Sequence, residues 1–150
     1  HLLQHRLGPA EATRRHLLLL LAEAQIERGD AGGAYPALAA LHQATLPLIE
    51  SMQRLALQLR YELLAGYPKY AIWQWKAKLR LAELMPADHG GAVHAMLATA
   101  ADQCGNRDLA HWLWQRVGLL CDEQQRARFE QGQFSLAVVS PPQDITIQQA

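Results

Sequence analysis

Three glycines constrain the fold of this chain more than any other feature. Gly29, Gly66 and Gly105 lie 37 and 39 residues apart, and each interrupts a run of helical hydrophobic spacing. A glycine at such a point lets the chain leave one helix in the left-handed conformation that other residues resist, and turn at once into the next. Five residues beyond each glycine stands an alanine: Ala34, Ala71 and Ala110. Four further on stands a bulky apolar residue: Leu38, Trp75 and Trp114. Seven residues before each glycine stands a small or apolar residue: Ala22, Leu59 and Ala98. The pattern predicts helical hairpins, with the alanine allowing close approach and the large residue filling the space between hairpins. A single hairpin cannot bury both its faces, so neighbours have to stack.

The rest of the chain fits around these turns. Residues 1–8 read as a partial helix ending at Gly8, and Pro9 suits the first turn of the next. Helical spacing covers residues 10–28, resumes over 32–45, and restarts at Pro47. The second hairpin turns at Gly66-Tyr67-Pro68 and ends at Met85-Pro86, and the third turns at Gly105-Asn106. Asp122 and Gln125 have the spacing of a capping box, which predicts a short capping helix. Phe134-Ser135-Leu136-Ala137-Val138-Val139 reads as a strand, stopped by Ser140-Pro141-Pro142. The expected organisation is one helical domain over 1–131, with units at about 10–46, 47–86 and 90–121 and a capping helix at 122–131. An extended tail or linker follows at 132–150. The expected fold class is all-α, an α-α superhelix of three stacked hairpins with a short strand-like C-terminal tail.

Composition removes several functions. The chain has 150 residues, half of them hydrophobic, enough to build a core without disulfides or metal. Lys plus Arg equals Asp plus Glu at 14 each, and this neutrality argues against a DNA, RNA or anionic-membrane footprint. Arg6, Arg14 and Arg15, and Lys69, Lys76, Lys78 and Arg80, read as solvated faces. Low charge favours burial against a partner, or homo-oligomerisation. The apolar run Leu17 to Ala22 is bracketed too closely by Arg14, Arg15, Glu23, Glu27 and Arg28 to span a membrane. Cys104 and Cys121, at far ends of consecutive helices, would sit roughly 20 Å apart, too far for a disulfide. No zinc, phosphate-loop or nucleophile-elbow motif occurs, and Asp88, His89, His94 and Asp102 are scattered. No catalytic, cofactor or metal site is expected, and the chain is not expected to be an enzyme.

Over residues 15–120 the sequence resembles the tetratricopeptide repeat family. Ala22, Gly29, Ala34 and Pro47 match its pattern in the first unit, Gly66, Ala71, Trp75 and Pro86 in the second, and Ala98, Gly105, Ala110 and Trp114 in the third. Leu59 stands where that family has a small residue, Leu18, Leu55 and His94 replace an aromatic, and the spacing is longer than its usual one. The resemblance implies a concave, peptide-binding groove lined by the first helix of each unit. Leu19, Glu23, Ile26 and Glu27, then Ala56, Arg60, Leu63 and Leu64, then Ala95, Thr99, Asp102 and Gln103 would line it. The Lys and Asn clamp of chaperone-binding members is missing, and only Arg60 is placed to take a carboxylate. Trp73 and Trp112, two residues from the core tryptophans, would face outward with Tyr67 and Tyr70 near the first. These residues imply a protein- or peptide-binding adaptor, as in bacterial envelope or assembly systems, either cytoplasmic or periplasmic. The alternative is a regulatory or sensor domain of a larger protein such as a transcription activator.

Overall fold

The computed structural model describes residues 2–135, with side chains from Pro9 onward. Its eight helices are α1 (Leu2–Glu27), α2 (Ala31–His42), α3 (Leu48–Ala65), α4 (Pro68–Ala77), α5 (Leu79–Glu83), α6 (Ala87–Gln103), α7 (Arg107–Leu120) and α8 (Glu123–Glu130). The chain divides into two compact units, His1–Leu81 and Ala82–Ala150.

The glycine turns share one geometry. Gly29, Gly66 and Gly105 adopt φ of 77°, 87° and 79°. After each, the next amide reaches back to close the helix: Asp30 N to Gln25 O at 2.8 Å, Tyr67 N to Glu62 O at 2.7 Å, Asn106 N to Ala101 O at 2.9 Å. This is the Schellman arrangement, which satisfies carbonyls that the helix end would otherwise leave open. The residue after each glycine is already the N-cap of the following helix. Asp30 accepts from Gly33 N and Asn106 from Leu109 N, whereas Tyr67 leaves the start of its helix to Pro68. Ala34, Ala71 and Ala110, in the first turns beyond, are all buried. A fourth such turn, at Gly132 with φ of 83°, closes α8 through Gln133 N to Arg128 O at 2.9 Å.

In the first unit α1 packs on α2, α3 packs on both, and α4 packs on α3. Leu19, Ala22 and Ile26 of α1 meet Ala34, Ala37, Leu38 and Leu41 of α2 and Leu57 of α3 in one buried cluster. In the second unit α6 and α7 form a hairpin and α8 packs on both. There α6 is buried at every residue from Gly90 to Ala98. A Cβ on Gly91 would collide with Cys121 Sγ, so the start of α6 meets the end of α7 only because that position is glycine. Asp122 and Gln125 form a complete capping box at α8, with Gln125 N donating to Asp122 Oδ1 at 2.8 Å and Asp122 N to Gln125 Oε1 at 3.1 Å.

Several expectations need correction. The superhelix of three stacked hairpins with a strand-like tail is replaced by an all-α arrangement of eight helices in two units, with no strand among the described residues. A strand requires a partner for its backbone, and the described part of the tail spends its bonds otherwise. Phe134 is buried with its ring stacked 6.2 Å from that of Phe129, and Arg128 Nη2 donates to Ser135 O at 2.7 Å. The remainder of the expected strand and linker, residues 136–150, lies outside the described residues. At the other end, Gly8 and Pro9 do not separate two helices, because α1 passes through both. The second helix of the second hairpin is divided at Lys78 into α4 and α5. Cys104 and Cys121 are both free and half-buried.

Candidate functional site

All four tyrosines of the chain gather at one end of the first unit. Tyr35 stands in the second turn of α2, Tyr61 in the last turns of α3, Tyr67 in the Gly66 turn and Tyr70 in the first turn of α4. The Schellman turn sets Tyr67 and Tyr70 beside the end of α3, because it reverses the chain within one residue, and the packing of α2 on α3 brings Tyr35 to Tyr61. Ring centroids of Tyr35 and Tyr61 are 6.0 Å apart and those of Tyr67 and Tyr70 5.6 Å apart, both pairs tilted. Tyr61 also lies near enough to Tyr67 for the two to interact electrostatically. Its hydroxyl is pushed above the ordinary tyrosine range by burial first, and by Tyr35, Tyr67 and Glu62 beside it. Tyr35, Tyr67 and Tyr70 are exposed, and so is Trp73 one turn beyond Tyr70, at 69%.

Glu62 lies next to this band and is buried. Gln58 Nε2 donates to its Oε2 at 3.0 Å, while Oε1 has no hydrogen-bond partner. Burial raises its carboxyl above the ordinary range, against the Gln58 hydrogen bond, the nearby Gln74 amide and the charge of Arg54, which favour the ionised form. The band thus offers flat rings with polar tips to solvent, and the carboxylate beside it is out of a ligand's reach. That combination suits recognition by stacking and hydroxyl hydrogen bonds.

The residues expected to line a groove are distributed otherwise. Leu19 and Ile26 belong to the buried cluster of the first unit. Glu23, Ala56 and Leu63 are half-buried, and Leu64 is exposed. Arg60 Nη2 donates to Glu27 Oε2 at 2.7 Å, so its guanidinium is already engaged by a carboxylate of its own chain. In the second unit Ala95 is buried, Asp102 and Gln103 are exposed, and the Thr99 hydroxyl is turned back to Ala95 O at 2.9 Å. Trp112 is 48% exposed and carries Arg116 over its ring at 5.5 Å. Trp73 and Trp112 therefore both face outward, and Trp112 is already covered in part by a cation. The contribution of Tyr35 and Tyr61 to the band went unread in the sequence. Their contact depends on how α2 meets α3, which no spacing along the chain records.

His94 is buried, and its Nδ1 donates to Gly90 O at 2.6 Å, because a carbonyl can only accept. Burial lowers its pKa, and Arg116 lowers it further against the Gly90 hydrogen bond. Among the described residues no group of three or more His, Cys, Asp or Glu is placed to hold a metal ion. No helix among them is long and apolar enough to cross a membrane. The chain matches no protein-family model, no curated protein and no solved structure.

Proposed function

We propose that this chain is a protein- or peptide-binding module whose hairpins are degenerate tetratricopeptide-like units, and that a partner is read by the tyrosine band of the first unit. The observation that carries this reading is the gathering of all four tyrosines as two contacting ring pairs, Tyr35–Tyr61 and Tyr67–Tyr70, with Tyr61 near enough to Tyr67 to feel its charge and exposed Trp73 one turn beyond Tyr70. Aromatic side chains of this kind supply large contact area at low entropic cost and are enriched at binding hot spots. Exposed apolar area in one patch also needs an occupant to be explained, whereas scattered apolar residues do not.

Co-purification from the source organism, repeated with three variants, tests the reading. Trp73→Ala and the double variant Tyr67→Ala/Tyr70→Ala are expected to weaken capture of a partner by at least about tenfold, the scale of a hot-spot loss. Trp112→Ala, in the second unit, is expected to leave capture unchanged. Retention by the first two variants with loss by the third would move the site to the second unit and defeat the proposal.

A further inference from the structure

The first unit holds a second feature that the tyrosine band does not use. A cavity of about 460 Å³ lies among the start of α3, the connector before it and the junction of α4 with α5. Leu46, Leu48, Leu55 and Leu81 form its apolar lining. Leu55 is buried whereas Leu48 is exposed, so the space runs from the core to solvent. Its volume falls within the range of small-ligand sites, about 300–1,000 Å³.

The polar lining has one sign of charge. Arg54 and Lys78 contribute cations and no lining residue is acidic. Neither makes an ion pair among the described residues. Arg54 Nη2 donates to His42 Nδ1 at 2.8 Å, but its Nε is buried with no hydrogen-bond partner. An arginine stays charged and offers a planar fork that matches a carboxylate. The nearby acids do not fill this role. Glu50 is held by Arg15 at 2.7 Å, and Glu62 acts on Arg54 only through its charge, without a direct pair. The Ser51 hydroxyl is turned to Leu46 O at 3.3 Å.

We propose that this cavity binds a carboxylate carried on an aliphatic chain, with the carboxylate at Arg54 and Lys78 and the chain along the four leucines. Arg54, and not the Arg60 suggested by the sequence, is then the residue that takes a carboxylate.

Calorimetric titration of the whole chain tests this with decanoate, decanol and the dipeptide acetyl-Leu-Leu as free acid and as amide. Decanoate or the free acid is expected to bind saturably, at least about tenfold tighter than its uncharged counterpart. Binding by decanoate alone would identify a free amphiphile, and binding by the dipeptide acid alone a peptide terminus. Arg54→Gln is expected to remove at least about tenfold of that affinity and Lys78→Gln about threefold, with Lys69→Gln as an unaffected control. Lys78 is exposed, so its variant keeps the test valid should Arg54→Gln fail to fold. Binding of decanol and amide as tight as that of the acids, no saturable binding of either acid, unchanged affinity in a folded Arg54→Gln, or unchanged affinity in Lys78→Gln would each overturn the proposal.

Discussion

All four tyrosines of the chain belong to the first unit and both phenylalanines belong to the second. Three of the tyrosines are exposed, while Phe129 and Phe134 are both buried and stacked on each other. The first unit therefore presents most of its tyrosine rings to solvent, and the second consumes its phenylalanine rings as core, although its Trp112 is exposed. Tyrosine tolerates this placement because its hydroxyl stays hydrated while its ring remains available. The core chemistry differs as well. The first unit is filled largely by leucines, whereas α6 of the second buries Ala92, Ala95, Ala98, Ala100 and Ala101. A helix buried on many sides has to be thin where its neighbours come close, and alanine and glycine supply that thinness. The proposed recognition surface lies in the unit with bulky, partly open packing, and the alanine-dense α6 has few large side chains to offer a partner.

The position seven residues before each turn glycine gives the sharpest way to break this comparison. Ala22, Leu59 and Ala98 are each completely buried there. Leu59→Ala would leave a cavity and is expected to cost about 2–5 kcal/mol in urea denaturation. Ala98→Leu would overfill α6 and is expected to cost about 1–3 kcal/mol. A neutral Ala98→Leu would mean that α6 has room to spare, and the contrast in packing between the units would fall.

The turn glycines are what the units share, and they set the next effect. No heavy atom lies within 4 Å of a Cβ built on Gly66 or Gly105, so alanine there meets no neighbour and suffers only from the left-handed backbone. Gly66→Ala and Gly105→Ala are each expected to cost about 1–2 kcal/mol. Equal losses in denaturation would show one device serving both units. A loss confined to one of them would show that the other turn relaxes into a different geometry.

The glycine turns were legible in the sequence because their cause is local. A left-handed residue, an N-cap after it and a buried alanine in the next turn all sit within a few positions of one another. The capping box of Asp122 and Gln125 was legible for the same reason. What escaped was tertiary. The family resemblance placed Leu19 and Ile26 in a groove, but both pack into the buried cluster that α1 forms with α2 and α3. Arg60 looked available until α1 brought Glu27 to it. The apolar segment at Phe134 looked like a strand because apolar runs do not reveal whether a partner strand exists. Gly132 marks a fourth turn of the same kind, and its signal was present in the sequence but lay beyond the three spacings that defined the pattern.

The smallest expected effect separates the units by sign. Glu62 has its carboxyl raised, from an ordinary value of 4.5, chiefly by burial. The folded first unit therefore holds a proton more readily than the unfolded chain does. Stability is lost as pH rises through the raised value and regained on acidification toward 4.5. His94 has its pKa lowered, from an ordinary value of 6.5, again chiefly by burial. The folded second unit resists that proton, so its stability is full above 6.5 and is lost as pH falls toward the lowered value. Amide hydrogen exchange, corrected for intrinsic rates at pH 7.5, 6.0 and 5.0, reads the two units separately. Between the highest and lowest pH, Glu62 is expected to contribute a gain in protection in α3 and His94 a loss in α6, each smaller than the turn-glycine losses. Glu62→Gln should remove the first trend and raise stability at pH 7.5, since the amide sheds the desolvation of a charge and keeps an acceptor for Gln58. His94→Gln should flatten the second. If neither variant changes its unit's pH slope, these two buried groups do not set it, and the contrast between the units reduces to packing and to where the aromatic rings point.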